Sequence, residues 1–383
     1  MKRLFIFALL MAYHLSAGAQ ALVNYDKEKL FEYYQSQRYA EAAAYLQSVY
    51  PVETEDIKIL GQIAYCYMMA GKLPEAEKNY LKVLDQQPTA IPVLFSLANI
   101  NVRRGNDLKA RGYYESIIKL DSNNFNAYKQ LADLYSNEID SQKVSYLFKA
   151  NHLNPIDADV AYDLSRAYRK LKDYEPAYRI LTIAIIADTG NLILQQAKLP
   201  VALQLKKYDE VINLGKRLLV DEADANVIKD VAMAYYYLKN YEKTISYFKM
   251  LEVAMNQTES SLYFTALSYR ALKNYALAAV YAKKTIEEGI SPNTSSYYAL
   301  LGSIYENSKQ LSLASSAYKK GLQFKANPVI YYNLGILYDL TLKQKNSALN
   351  YYNLYLKSKP DLKAEKAQID YVKSRIKTLK NGH

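Results

Sequence analysis

The sequence predicts an all-α fold of about ten helix-turn-helix repeats, stacked in a row and closed by one further helix at the C-terminus. Three observations predict it. First, a small or β-branched anchor returns at Ala42, Ala76, Ala110, Val144, Ala177, Val211, Thr244, Ala278, Ala314 and Ala348, in steps of 33 to 36 residues. Steps that regular mark a repeat array. Second, the anchors sit within apolar stripes of helical period, so each unit carries two short amphipathic helices. Third, half of the 383 residues are hydrophobic, yet no apolar run beyond Leu4–Leu15 approaches the roughly 20 residues needed to cross a bilayer. A chain of this length would ordinarily split into two or three globular domains, but a repeat array grows one continuous core by stacking.

The clearest unit is Ile57 to Pro88, IKILGQIAYCYMMAGKLPEAEKNYLKVLDQQP. Leu60, Ile63, Ala64 and Tyr67 form one stripe, Gly71 breaks the first helix, and Ala76, Tyr80, Val83 and Leu84 form the stripe of the second. Small residues at Ala64 and Ala76 let the two backbones approach, while Tyr67 and Tyr80 fill the space beside them. With its period and its small, aromatic and proline slots, this unit resembles the tetratricopeptide repeat (TPR). The resemblance implies a right-handed superhelix of helix pairs, a TPR solenoid, with the first helix of each pair lining a concave groove.

The elements follow in order. A helix from Asn24 carries Leu30, Tyr33 and Tyr34, and RYAEAAAYLQSVYP supplies its partner and a stop at Pro51. This repeat is short and irregular, as a terminal repeat with one wet face should be. The third repeat places Leu94, Leu97, Ala98, Gly105, Ala110, Tyr114 and Ile117 in the same slots; the fourth runs from Tyr128 to Pro155, and its turn SNEIDS lacks the usual glycine. The fifth fits through Leu164, Ser165, Tyr168, Tyr174, Ala177 and Leu181. The sixth fits worst, with Gln195 and Lys198 in apolar slots and Pro200 in mid-helix. A proline there costs about 3 kcal/mol in a regular helix, which predicts a kink, read either as a hinge or as a degenerate repeat held by its neighbours. Repeats seven to ten resume the pattern, with Gly302 and Gly335 in the slot of Ala64. After Pro360, Ala364, Ile369, Val372 and Ile376 form the stripe of a last helix that covers the open face of the tenth repeat. Its Lys373, Arg375, Lys377 and Lys380 read as charge on the wet side of that cap, or as a membrane-surface contact.

The opening MKRLFIFALLMAYHLSAGAQ has two cations, an apolar run and small residues before Gln20, the layout of a secretory signal peptide cut between Ala19 and Gln20. A retained membrane anchor is the competing reading, and the short run and adjacent cleavage site weigh against it. The expected organisation is a signal peptide at 1–19, a TPR solenoid at 20–360 and a capping helix with tail at 361–383. The single cysteine, Cys66, cannot form an internal disulfide, and its place on an apolar helix face reads as a small buried hydrophobe. Formal charge is +11, or about +9 without Lys2 and Arg3, and it is spread along the chain without a dense block.

Forty tyrosines and no tryptophan fall mostly in packing slots, where their hydroxyls need partners that backbone carbonyls at repeat junctions can supply. The TPR resemblance implies that residues flanking the packing slots of the first helices point into the groove: Tyr65, Asn99, Lys129, Asp133, Tyr162, Arg166, Arg169, Lys229, Tyr236, Tyr263, Arg270 and Tyr332. That face is aromatic and basic, and Lys129, Arg166 and Arg169 predict a central positive pocket. It suits an extended or helical peptide of acidic character, although Asp133 stands where the carboxylate clamp of chaperone-binding TPR domains wants a neutral amide. Apart from the leader, the histidines are His152 and His383, and no phosphate-loop, nucleophile-elbow or CxxC motif is present. The sequence therefore predicts no enzyme, no metal and no cofactor. A non-enzymatic scaffold for a protein or peptide partner is the first reading, a cell-envelope assembly or secretion-machinery factor the second, and nucleic-acid or anionic-surface binding the third; self-association is compatible with all three. The composition and leader resemble exported TPR proteins of Bacteroidota envelopes, which implies the periplasm, with an extracellular or outer-membrane-associated place as the alternatives.

Overall fold

The computed structural model describes residues 25–50, 53–220, 223–289 and 291–381. The leader, Pro51 and His383 lie outside them. Every regular element among the described residues is helical, and the chain forms two compact units, Met1–Asp173 and Tyr174–His383.

In the first unit the helices are α1 (Lys27–Gln35), α2 (Tyr39–Val49), α3 (Ile57–Met69), α4 (Leu73–Gln86), α5 (Ile91–Arg103), α6 (Asp107–Leu120), α7 (Phe125–Asp133), α8 (Ser141–Leu153) and α9 (Ala158–Lys170). Each packs against the next. Most first helices of a pair begin with a carboxylate or amide that accepts hydrogen bonds from orphan amides of the first turn: Asp26, Asp56, Asn124 and Asp157. Helix α5 instead opens on Ile91 and Pro92, where a missing N–H costs nothing. The turn between paired helices needs a left-handed residue, and Gly71 and Gly105 supply it at φ 76° and 69°.

The second unit holds α10 (Tyr174–Ala187), α11 (Leu192–Gln204), α12 (Tyr208–Leu218), α13 (Ala225–Tyr237), α14 (Tyr241–Val253), α15 (Glu259–Ala271), α16 (Tyr275–Glu287), α17 (Thr294–Asn307), α18 (Leu311–Phe324), α19 (Pro328–Ile336), α20 (Lys345–Lys357) and α21 (Lys366–Asn381). A π-helical turn, Leu337–Thr341, extends α19. Beyond sequential packing, the first helices touch one another, α11 on α13, α13 on α15, α15 on α17 and α17 on α19, so they form one inner row. Here the left-handed turn residue is lysine at every repeat: Lys206, Lys239, Lys273, Lys309 and Lys343.

Small-against-large packing closes the pairs. A Cβ on Gly302 would stand 2.4 Å from the ring of Tyr318, and one on Gly335 2.4 Å from the ring of Tyr352, so both glycines are where an aromatic ring lies flat on a helix backbone. In the sixth repeat the order reverses: Leu199 fills the first-helix slot and Gly215 the second, with Val231 pressed onto it. Helix α11 runs as one α-helical stretch through Pro200. Lys198 is buried in its apolar slot because Glu210 bonds its ammonium at 2.8 Å and the ring of Tyr178 lies 4.5 Å below it.

Two expectations need correction. Six tyrosine hydroxyls of the second unit find carboxylates rather than backbone carbonyls: Tyr178 donates to Glu210, Tyr281 to Glu252, Tyr297 to Glu259, Tyr318 to Glu306, Tyr352 to Asp339 and Tyr355 to Glu365. A carboxylate accepts a stronger hydrogen bond than a carbonyl, and it can come from a neighbouring helix whose own carbonyls are already used. Arg375 is also not on the wet side of the final helix. It reaches Asp339 in the π-helical turn and docks α21 onto the tenth pair.

Candidate partner-binding surface

In the first unit the expected groove residues lie on α3, α5, α7 and α9. Tyr65 is exposed, and its ring meets those of Tyr34 and Tyr39 edge-on at 6.1 Å, an aromatic patch on the first two pairs. Asn99 accepts a hydrogen bond of 2.6 Å from the Tyr114 hydroxyl, which commits its carbonyl oxygen to the fold. Asp133 is held above the usual carboxylate range by desolvation among the packed helices and then by the nearby Asp163.

The three cations do not form the free positive pocket that their spacing predicts. Lys129 bonds Asp157 at 3.2 Å and Asp159 at 2.8 Å, and Arg166 pairs with Glu138 while lying over the ring of Tyr162. Glu138 also takes Lys170, and the bond from that ammonium, with the two nearby cations, holds its pKa below the ordinary value. Of the three, Arg169, exposed at the end of α9, has no carboxylate partner among the described residues. Each carboxylate comes from the neighbouring repeat, at separations of 28 to 30 residues that helix-face arguments within one repeat do not reach.

The second unit gathers its groove residues more closely. Tyr236 on α13 is half-buried, its ring 4.9 Å from Phe264 and 5.8 Å from Tyr241. Tyr263 on α15 continues the line, 5.7 Å from Phe264 and 5.0 Å from Tyr297 on α17. Arg270, two turns along α15, donates to the Ser303 hydroxyl at 2.8 Å and has no carboxylate partner among the described residues. Burial pushes the Tyr236 and Tyr263 hydroxyls up in pKa, and the guanidinium of Arg270 opposes that shift in both, so the cation sits beside this aromatic line. Lys229 is half-buried on α13, and Tyr332 lies apart, its ring 5.4 Å from Tyr355. Phe264 and Ser303 belong to the same surface, with the buried Tyr297 packed beneath it, and the sequence did not announce them. The signal was there: Ser303 follows Arg270 by 33 residues, about one repeat.

The decisive comparison is with family models. One model of the tetratricopeptide repeat matches residues 33–100, and a second matches 295–328 and 329–362. The chain carries tetratricopeptide repeats over these stretches. Among solved structures, the chain is similar to a tetratricopeptide repeat protein from Parabacteroides merdae, 16% identical over 65% of this chain and 98% of that one, with a TM-score of 0.40. It is similar also to the C-terminal part of a TPR repeat-containing protein from Cytophaga hutchinsonii, 15% identical over 71% and 99% of the two chains, TM-score 0.42. The human IFIT1 dimer with PPP-AAAA matches at 14% identity over 92% of this chain and 86% of that chain, TM-score 0.45. Among the described residues, no group of three or more His, Cys, Asp or Glu could hold a metal, and no helix is long and apolar enough to cross a membrane.

Proposed function

We propose that this repeat protein is a non-enzymatic scaffold that holds an extended or helical peptide of acidic character along the inner helices of its second unit. The observation that carries the reading is Arg270: a cation without a carboxylate partner among the described residues, beside the half-buried rings of Tyr236, Phe264 and Tyr263. Tyrosine rings offer large contact area at low entropic cost, and a guanidinium can grip a carboxylate with paired hydrogen bonds. The first unit suits this role less, because Lys129 and Arg166 are already neutralised. The leader motif supports export and a periplasmic place, where an envelope-assembly role would fit; sequencing the N-terminus of the protein from fractionated cells tests that, with Gln20 as the expected first residue.

The binding test is a pull-down from envelope extract with the chain from Gln20 onward, beside a variant carrying Tyr236→Ala and Arg270→Ala whose helicity is checked by circular dichroism. A protein enriched by the parent and lost with the folded variant supports the surface. If both capture the same partners, the surface is not the binding site. Capture of nucleic acid that weakens steeply with salt would point instead to backbone recognition.

A further inference from the structure

The sixth repeat, which breaks the pattern, also borders a cavity lined by both charged and apolar side chains. The cavity measures about 550 Å³ and lies between α10, α11 and α12, within the range of small-molecule sites. Its walls include apolar Ile185 and Leu214; Lys198 and Glu210 also line it, with Asn213 and Arg217 exposed beside them.

Lys198 occupies the slot that Ile63, Leu97, Leu131 and Leu164 hold in other repeats. A buried ammonium there costs desolvation free energy that an aliphatic side chain would not. It is held in place by Glu210, whose second oxygen accepts the Tyr178 hydroxyl at 2.7 Å, and by the Tyr178 ring. Lys207 stands over the same ring, also at 4.5 Å. Arg217 has no carboxylate partner among the described residues. Two cations, Lys198 and Lys207, thus act on Glu210, and a third, Arg217, lines the cavity.

We infer that this cavity binds a small organic carboxylate or phosphate. The oxyanion accepts hydrogen bonds from Lys198 and Arg217 and from the Asn213 amide, and a short apolar stem lies against Ile185 and Leu214. The site is lined mostly by second helices and does not depend on the peptide surface of the inner row.

The test is thermal unfolding of the full chain with hexanoate, inorganic phosphate or hexylamine at matched ionic strength. At about ten times the half-saturating concentration, the binding anion should raise the midpoint by roughly 3 °C, and the curve should saturate. A shift with hexanoate alone identifies a carboxylate with a stem, and one with phosphate assigns the site to the oxyanion. Arg217→Ala, an exposed change, should cut the affinity at least fivefold. The paired change Lys198→Met with Glu210→Met refills the apolar slot and should remove the shift while leaving the fold intact. No saturable shift with either anion, an equal shift with hexylamine, or a shift that survives both variants overturns the inference.

Discussion

Arg375 holds Asp339 through two hydrogen bonds, Nε to Oδ2 and Nη2 to Oδ1, each of 2.8 Å. Asp339 is 5% exposed and also accepts the Tyr352 hydroxyl at 3.0 Å, so one carboxylate ties the last helix to the π-helical turn and to the tenth pair. Bidentate geometry of this kind fixes orientation as well as energy. Arg375→Ala should cost about 3 kcal/mol, the lower end for breaking a buried pair, because Arg375 keeps partial solvent contact. The Arg375 bond, foremost, holds the Asp339 pKa below its ordinary value. A lowered carboxylate stabilises the fold above the unfolded pKa of about 3.9 and loses that contribution as pH falls through its folded value. Urea unfolding followed from pH 7 to pH 3 should therefore show a steeper acid loss in the parent than in Arg375→Ala; parallel curves would refute the link.

The ring of Tyr318 lies flat on Gly302, and a methyl group there would meet it at 2.4 Å. Gly302→Ala should therefore destabilise by about 1–3 kcal/mol through overpacking, despite alanine's higher helix propensity. Combining it with Tyr318→Leu should recover part of the loss. A double-mutant cycle in guanidinium checks this, and additive costs would show that the two residues do not share the site.

How much of this was legible in the sequence depends on the range of the interaction. The helix pairs were, because stripe, anchor and turn recur within each unit. Gly71 and Gly105 announced their left-handed turns, but the same turn at Lys206, Lys239 and Lys273 was readable only from the period, since lysine carries no such signal. The flat rings on Gly302 and Gly335 were half-legible: the small slot was visible, its aromatic occupant was not. The pairing of Arg166 with Glu138 and the docking of Arg375 on Asp339 were not legible at all. Each joins residues 28 to 36 apart across a repeat junction, where no helical period links them. The candidate surface shifted accordingly from the cations of the first unit to Arg270 in the second.

Cys66 is fully buried, 3.4 Å from the Tyr34 hydroxyl, and burial pushes its thiol pKa up. The thiolate is the reactive form, so alkylation by iodoacetamide should be slow in the native chain and should accelerate with urea in step with unfolding. Rapid stoichiometric labelling without denaturant would contradict the burial.

Glu306 carries a different consequence of the tyrosine–carboxylate pairs. Burial raises its pKa, and the Tyr318 hydroxyl at 3.0 Å opposes that only in part; no cation pairs with it among the described residues. A carboxyl whose folded pKa lies above its unfolded value contributes stability that is fully present below the unfolded value, about 4.3, and is lost as pH rises through the folded value. Glu306→Gln keeps the shape and an acceptor for Tyr318 without the charge. It should leave stability unchanged near pH 4 and raise it at pH 7, so the gap between variant and parent widens with pH. Urea midpoints at four pH values suffice to read it, and a gap that stays constant, or that reverses sign toward neutrality, would mean that Glu306 titrates as an ordinary surface carboxylate.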